Sequence, residues 1–330
     1  MKTALRSQPR RRLALQGLAL ALGAAALPAR SQQYPARPIR VVQGFAVGGN
    51  ADAIARVVGA EMGKSLGQPL VVEAVTGAGG TLAAAAVARA PADGYTLLLA
   101  TGGHAVAGAL YAKLAYDSVA SFQAVSTITY FPFLVVVPAD SRWRSLADLM
   151  NAARETPGSI AWGSAGIGST HHLAGELLGH MGKLKLLHVP YRGDAASTTA
   201  LFGGEVAFTI AQATAVESAI RAGRLRALAT TGTQRWLGMP EVPTVAEQGV
   251  AGFDVRSWAG WMLPAGAPPA VVQRLNEATR QALLSTELRA RLRQMGGEAQ
   301  ASTPKEMAML VSSEIRKWSQ VVADAAIARL

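Results

Sequence analysis

Residues 39–66 read IRVVQGFAVGGNADAIARVVGAEMGKSL, and this stretch decides the fold class. It begins with a short apolar run at residues 39–43, which is typical of a buried strand. A glycine-rich loop follows at residues 44–49. Apolar residues then recur at the i, i+4 spacing of one helix face, at Ile54, Val58, Met62 and Leu66. The stretch therefore predicts a strand, a glycine turn and a helix in succession.

The same order of strand, glycine turn and helix repeats along the chain. Further strands are predicted at residues 70–73, 96–100, 133–137, 160–163, 186–189, 207–210, 227–230 and 257–263. Capping signals at Ser145 and Thr303, each three residues before an acidic residue, predict the starts of two more helices. Such repetition implies parallel strands joined by right-handed crossovers, so we expect an α/β fold.

The N-terminal segment predicts export from the cytoplasm. Residues 1–31 combine a basic head with three consecutive arginines, an uncharged run at residues 13–27 and two small residues two positions apart, Ala29 and Ser31. This pattern is typical of a signal peptide cleaved after Ser31, for the Sec or the twin-arginine route. The apolar run is too short and too rich in Ala and Gly to span a membrane. We therefore expect the mature protein in the periplasm.

Composition limits the partners and the chemistry. Six of the 32 basic residues and none of the 21 acidic ones lie in residues 1–31, which leaves a net charge of +5 on the remaining 299 residues of the 330. This mild excess is spread along the chain, so no nucleic-acid partner is expected. The length after cleavage suggests two lobes. The chain contains no cysteine, which excludes disulfides and thiolate chemistry.

Motifs for enzymes, cofactors and metals are weak or missing in the sequence. No Gly-x-Ser-x-Gly elbow and no phosphate loop occur, and residues 77–82 lack the last glycine of the dinucleotide fingerprint. We therefore expect no cofactor, and these motifs give only weak support for an enzyme. His172 and Glu176 stand at i, i+4 as a candidate metal pair without an evident third ligand, so packed histidines are favoured over a metal site. His104 and His188 are interpreted as isolated structural residues.

Three glycine loops run into predicted helix starts, near Gly48, Gly79 and Gly168. A helix start carries unpaired N–H groups and partial positive charge, which suits a carboxylate. In open α/β sheets such loops gather at the carboxyl ends of the strands, where ligands bind. The alternative is that these glycines only form tight turns. The three loops together favour a site for a small anion.

Several motifs, taken in order, resemble one family. They are RVVQGFAVGGNAD (residues 40–52), TGAGG (76–80), DGYTLL (93–98), LAYD (114–117), SAGIGSTHHLAGE (164–176), HVPYRG (188–193), AGRLRALA (222–229) and PTVAEQG (243–249). Their order along nearly all of the chain after the signal resembles the substrate-binding receptors of tripartite tricarboxylate transporters, the Bug family of periplasmic proteins.

The resemblance implies a monomeric, two-lobed periplasmic binding protein of the type II-like, flytrap kind, with a mainly parallel sheet flanked by helices in each lobe. A small carboxylate would be held between the lobes and delivered to membrane permease subunits. Lobe 1 would comprise residues 34–130 plus 256–330, and lobe 2 residues 131–255, with hinges near residues 130–137 and 253–260. A secreted enzyme, or a receptor that signals, on the same scaffold is the alternative.

Matching the family's loops to this sequence gives the expected ligand-binding residues. They are Phe45, Ala46, Gly48, Gly49, Asn50, Asp52, Gly168, Ser169, Thr170, His171, Gly193, Asp194 and Gln212. We expect the ligand carboxylate to rest on backbone N–H groups of residues 46–49 and 166–170, because glycine lets the backbone approach closely. Arg192 and Arg256 are the rival anchors, through charge-assisted bidentate hydrogen bonds.

The sequence departs from the family pattern at three places. Gly44 stands where proline is common, residues 74–76 replace an Asn-Arg-Pro motif, and Asp194 occupies a position that is usually small and polar. Asp194 and Asp52 have two interpretations. Each could face a ligand that carries a hydrogen-bond donor, or each could cap the helix that follows it.

Overall fold

The computed structural model describes residues 34–330, and the predicted signal peptide lies outside these residues. Contacts group residues 37–330 into one compact unit. Among the described residues, no helix has the length and apolar character needed to cross a membrane.

One ten-stranded sheet organises the part of the chain that the structure describes. Its strands are β1 (Ile39–Gln43), β2 (Leu70–Ala74), β3 (Thr96–Thr101), β4 (Phe122–Pro138), β5 (Ala161–Ser164), β6 (Leu187–Pro190), β7 (Phe208–Gln212), β8 (Leu225–Thr230), β9 (Arg256–Pro264) and β10 (Glu298–Ala299). The strand order is β2-β1-β3-β9-β4-β7-β5-β6, and β8 and β10 also pair with β4.

Helices flank this sheet and are numbered here in chain order. They are α1 (Asn50–Leu66), α2 (Thr81–Ala88), α3 (Gly102–Leu110), α4 (Leu146–Glu155), α5 (Thr170–Gly182), α6 (Asp194–Phe202), α7 (Ala213–Arg221), α8 (Pro269–Ala282), α9 (Thr286–Gln294) and α10 (Pro304–Asp324), with a 3₁₀ turn at Ala78–Gly80. The predicted α/β fold is thereby confirmed.

The sheet is mixed, which corrects the expectation of mainly parallel sheets. The pairs β1–β2, β1–β3, β5–β6 and β5–β7 are parallel, as strand–helix–strand units require. Every antiparallel pair includes β4 or β9. Strands at residues 133–137 and 257–263 were predicted as part of the repeating pattern, but the structure pairs them antiparallel with their neighbours, so here the pattern gave the strands and not their direction.

Strand β4 changes its partners partway along its 17 residues. Residues 122–132 pair with β9, and the last of these pairs is Pro132 with Arg256. From Phe133 onward the partners are β7 and β8. The sequence predicted only residues 133–137 of this strand. The earlier half carries buried hydroxyl residues whose partners lie far along the chain, such as Thr127, which donates to the Gln300 carbonyl at 2.8 Å.

Local sequence rules position the helices as expected. The predicted stripe of α1 is buried, with Val58 and Met62 fully inaccessible. The capping box of Ser145 is present at the start of α4, and that of Thr303 is present at the start of α10. The Thr303 box includes a proline at the first helical position, where its missing N–H costs nothing.

Candidate functional site

The first two glycine loops touch each other at the ends of β1 and β2. A Cβ atom at Gly44 would lie 2.4 Å from the Cα atom of Gly80, so the two backbones leave no room for a side chain there. A Cβ atom at Gly80 would lie 3.7 Å from the ring of Phe45. This contact excludes any side chain, proline included, at position 44 of this chain.

Asp52 stabilises the first loop from inside. Its side chain is buried and accepts hydrogen bonds from the Gly48 N–H at 3.1 Å and from Arg56 Nε at 2.9 Å. Gln43 Nε2 lies 3.4 Å from the other carboxylate oxygen. The hydrogen bond from Arg56 is the main cause of a lowered pKa for this carboxyl. The carboxylate of Asp52 is therefore hydrogen bonded within the protein and is not available as an unpaired charge to a ligand.

The expected capping role of Asp52 is also wrong in detail. Gly49 occupies the N-cap position of α1, and Asp52 is the third helical residue. Its carboxylate accepts from the loop before the helix instead of from the helix's own first N–H groups. The negative charge still lies in the first turn, where the helix dipole favours it.

The start of α3 lies opposite the start of α5. A Cβ atom at Gly102 would lie 3.1 Å from Ser257 Oγ and 3.6 Å from Thr170 Oγ1. Gly102 is the first residue of α3, whose N-cap Thr101 makes no side-chain capping bond. The first N–H groups of a helix have no intrahelical acceptor. Two helix starts with outward-facing N–H groups therefore approach each other at this point.

The start of α3 was not among the predicted site segments. Thr101, Gly102 and Gly103 follow strand β3 with the same strand–glycine–helix pattern that marked the other loops. That pattern was the available signal. Gly103 lies beside the second loop, since a Cβ atom there would be 3.7 Å from the Gly79 carbonyl oxygen. Four glycine segments, not three, thus gather around the candidate site.

Most of the glycine N–H groups expected to bind the carboxylate are already hydrogen bonded. Gly48 donates to Asp52, and Gly49 donates to the Ala46 carbonyl. In the second-lobe loop, Gly166 donates to Ser164 Oγ at 3.1 Å, and the Gly168 N–H donates to His172 Nδ1 at 3.3 Å. A ligand carboxylate on these four glycines would have to displace these bonds, so the prediction for them needs a rearrangement of both loops.

The first turn of α5 retains N–H groups that face outward. Ser169 is the N-cap, and its Oγ accepts from the His172 N–H at 3.1 Å. The N–H groups of Thr170 and His171 precede that bond and have no intrahelical acceptor. Ser169, Thr170 and His171 were predicted site residues, and the structure places them together opposite Gly102.

His171 and Asp194 meet between the starts of α5 and α6. His171 Nε2 lies 3.1 Å from Asp194 Oδ1, but the geometry is not that of a hydrogen bond, and both atoms are buried without another partner among the described residues. The ring of Phe133 packs edge-on against His171 at 4.5 Å. Gln212 pairs with Phe133 across β4 and β7, so it lies near this group. Ala46 and Gly48 are exposed on the first loop.

Asp194 does not cap α6, so the capping interpretation of this residue is wrong. Gly193 occupies the N-cap position with φ 93° and without a side-chain capping bond. Asp194 is the first helical residue, and its Oδ1 is turned toward His171. The alternative in which it faces a ligand stays open.

His172, Glu176 and His188 form a cluster behind this loop. Their ligand-type atoms lie within 4.8 Å of one another, so the structure adds a third residue to the pair that the sequence suggested. His188 is therefore not isolated, and its Nε2 lies 2.7 Å from Ser164 Oγ. His104 is buried, and its Nε2 lies 2.8 Å from the Ser118 carbonyl, as a structural histidine would.

The geometry of this cluster favours packing over metal binding. The rings of His172 and His188 stack with centroids 4.2 Å apart and an interplanar angle of 19°. Each nitrogen lone pair lies in its own ring plane, so two nearly parallel rings cannot both point at one ion about 2.0–2.1 Å from each nitrogen. Burial lowers the pKa of both histidines to about 4 and raises the pKa of Glu176. The neutral stack supports the loop from behind.

Neither of the two arginines proposed as alternative anchors is well placed to bind a ligand carboxylate. Arg256 is bound to Asp254 through Nε at 3.1 Å and Nη2 at 3.2 Å, and its guanidinium lies 5.4 Å from the centre of the Tyr130 ring. Arg192 is exposed. Arg256 would have to exchange a protein carboxylate for a ligand carboxylate, which gains little.

Two other concave features differ in their position relative to the facing helix starts. A small cavity adjoins them, because Thr101 at the α3 start and the first two glycine loops line it, whereas a larger groove lies elsewhere. A cavity of ≈ 20 Å³ is bounded by Phe45, Gly80, His104 and Tyr116, which is room for about one water molecule. A groove of ≈ 620 Å³ lies between α1 and β2, and none of the predicted site residues lines it. The converging helix starts are therefore the better candidate.

Comparison with known proteins shows the family to which this chain belongs. Residues 54–327 match the family model described as tripartite tricarboxylate transporter family receptor. A protein from the tcbD–tcbE intergenic region of Pseudomonas sp. (strain P51) is 39% identical over 316 residues, which covers 95% of this chain and 94% of that protein. Protein BugT of Bordetella pertussis is 34% identical over 314 residues, 94% of this chain and 96% of BugT.

Solved structures agree with the sequence comparison. The R. palustris protein Rpa4515 with adipate is 35% identical, has a TM-score of 0.80, and the match covers 90% of this chain and 100% of that chain. MatC (Rpa3494) from Rhodopseudomonas palustris with bound malate is 35% identical, has a TM-score of 0.76, and the match covers 88% and 100%. The expected resemblance and fold class are confirmed.

Proposed function

Because the chain belongs to the tripartite tricarboxylate transporter receptor family, we propose that it is an extracytoplasmic solute-binding receptor. It captures a small carboxylate between two lobes and presents it to membrane permease subunits. Two structural neighbours hold adipate and malate, which supports small dicarboxylates as the first ligands to try. The receptor works in the periplasm after removal of its signal peptide, and it performs no catalysis.

The lobe boundaries are part of this proposal. Lobe 1 comprises residues 34–130 plus 256–330, and lobe 2 comprises residues 131–255. The change of partners along β4 after Pro132 supports the first crossing. The start of β9 at Arg256 supports the second. Two crossings of this kind permit the lobes to close around a ligand.

The meeting of the α3 and α5 starts carries the proposal. Gly102 belongs to proposed lobe 1 and Thr170 to proposed lobe 2, and their close approach joins two sets of outward-facing N–H groups. Such N–H groups bind a carboxylate while the helix dipoles supply positive potential without a charged side chain. We therefore assign the ligand carboxylate to the N–H groups of Gly102, Gly103, Thr170 and His171.

A titration of the mature protein with a carboxylate panel tests the function. Isothermal titration and thermal shift should show binding, with the ligand recovered unchanged. Turnover of the ligand would instead favour the secreted-enzyme alternative. Binding without any effect on solute uptake by the cells would favour a signalling receptor over a transport receptor.

A pair of glycine variants tests the location. Gly102→Val fills the space between the two helix starts, so it should weaken binding about ten-fold or more. Gly203→Val is the matched control, because Gly203 is exposed and a Cβ atom there meets its nearest neighbours at 3.6 Å. Arg256→Ala should cost less than about 1.5 kcal/mol of binding free energy. If Arg256→Ala loses more binding free energy than this and Gly102→Val binds the ligand as tightly as the wild type, the arginine and not the helix starts holds the carboxylate.

A further inference from the structure

We propose that His171 and Asp194 form a subsite for a hydrogen-bond-donating substituent, so that the receptor prefers carboxylates bearing a hydroxyl or ammonium group over unsubstituted ones. This inference rests on the proposed function and names the ligand class of the same site. It depends on three buried polar atoms on two side chains that make no hydrogen bond among the described residues, although two of these atoms lie 3.1 Å apart as an ion pair.

His171 supplies the first of these observations. Its side chain is 9% exposed, and both ring nitrogens are buried without a hydrogen-bond partner among the described residues. Each imidazole nitrogen can donate or accept one hydrogen bond, and neither nitrogen of His171 makes one here. Buried polar groups are nearly always satisfied, and an orphaned group in a native structure indicates a missing partner.

Asp194 supplies the second observation. Its Oδ1 is likewise buried and without a hydrogen bond, although His171 Nε2 lies only 3.1 Å away. An ionised carboxylate can only accept hydrogen bonds. The group that completes this pair must therefore donate to Asp194. A hydroxyl or ammonium group bound beside the two residues does so, and a hydroxyl also accepts from the imidazole N–H.

The position of the pair sets the geometry of the ligand. His171 is the second residue of α5, and Asp194 is the first residue of α6. A carboxylate on the α5 start would therefore have the pair beside it, within reach of a substituent on a nearby carbon. An unsubstituted dicarboxylate meets the charge of Asp194 without a donor to offset the repulsion, which selects against it relative to a substituted form.

The experiment measures affinities for matched ligand series with the mature protein. One series is succinate, malate and aspartate, which differ only in hydrogen, hydroxyl or ammonium on one carbon. Glutarate and adipate with their 2-hydroxy and 2-amino forms extend the chain length. We expect a substituted member to bind about ten-fold or more tightly than its parent. The hydroxyl and ammonium arms show which donor is preferred.

Two outcomes of this titration are distinguishable. If carboxylates bind but the parents bind as tightly as the substituted forms, the subsite is refuted while the receptor function stands. If no member of any series binds, the proposed function fails and the subsite fails with it. Neither outcome depends on whether a variant folds.

The Asp194→Asn variant tests the assignment to this residue. It removes the like-charge repulsion, so the parent acids should gain affinity and the preference should shrink below about three-fold. Asp140→Asn is the matched control, because Asp140 is an exposed acid of proposed lobe 2 and its substitution changes the net charge equally. A preference that survives Asp194→Asn, or that Asp140→Asn also abolishes, overturns the proposal.

Discussion

Replacing His172 by asparagine should remove much of the acid sensitivity of the protein. His172 is buried, and burial lowers its pKa from 6.5 to about 4. Between those pH values the unfolded chain takes up a proton that the folded protein does not. Stability is therefore lost as the pH falls from about 6.5 to 4, and the loss is complete below the folded-state pKa.

The magnitude follows from the size of the shift. A pKa lowered from 6.5 to about 4 corresponds to about 3 kcal/mol of unfolding free energy. His188, whose pKa is also lowered by burial and by the nearby His172, acts in the same direction. Glu176 opposes them, because burial raises its pKa and its protonated form favours the folded state as the pH falls.

The same protonation affects the ligand loop. His172 Nδ1 accepts a hydrogen bond from the Gly168 N–H, and a protonated imidazole has no acceptor. The asparagine carbonyl can replace Nδ1 as that acceptor without titrating. We therefore expect the ligand affinity of His172→Asn to fall less between neutral and acid pH than the affinity of the wild type does. The same substitution should cost about 1–3 kcal/mol in stability at neutral pH, because ring packing is lost.

Urea unfolding at several values between about pH 7.5 and pH 4 measures this effect. The difference in unfolding free energy between wild type and His172→Asn should shift by about 3 kcal/mol in favour of the variant across that range, which closes the neutral-pH gap or reverses it. His180→Asn is the matched control, because His180 lies on the same helix with half of its side chain exposed. If the gap between wild type and His172→Asn keeps its neutral-pH value at pH 4, the burial argument for His172 is refuted.

Two further substitutions test the first loop. Asp52→Asn removes the charge that holds Arg56 and the loop, so it should lower the unfolding free energy by about 1.5–3 kcal/mol. If urea denaturation gives the same unfolding free energy as for the wild type, the assigned hydrogen-bond network is contradicted. Gly44→Ala forces a Cβ atom to within 2.4 Å of Gly80, so it should cost about 1–3 kcal/mol or more and weaken ligand binding. Calorimetry should show neither the loss of stability nor the loss of binding for the control Gly203→Ala. If Gly44→Ala and Gly203→Ala have equal melting temperatures, the close contact between Gly44 and Gly80 is refuted as a constraint on the loop.

Rules that act within a few residues predicted much of the fold. The strand, loop and helix at residues 39–66 and the capping boxes at Ser145 and Thr303 depend on spacings that the sequence displays directly. The missing half of β4 depends on distant partners. Thr127 and Thr129 are buried because carbonyls at residues 298–300 accept their hydroxyl groups, and a local pattern cannot reveal such partners.

The candidate site shows the same division. The motifs selected the α5 start, which the structure places opposite the α3 start, and the pattern at Thr101–Gly103 could have selected α3 as well. The hydrogen bonds that occupy the loop glycines could not be predicted, since Gly168 donates to a side chain whose rotamer is set by packing. The contact of His188 with His172 arises from the register of β5 and β6, which pairs Trp162 with His188. Register is a property of the assembled sheet.

A crystal structure of the mature protein with its tightest carboxylate ligand tests the central claim most directly. The account predicts a ligand carboxylate oxygen about 2.7–3.2 Å from backbone N–H groups at the start of α3, at Gly102 or Gly103, and at the start of α5, at Thr170 or His171. A ligand whose carboxylate is held by an arginine side chain, or that lies away from both helix starts, would contradict it.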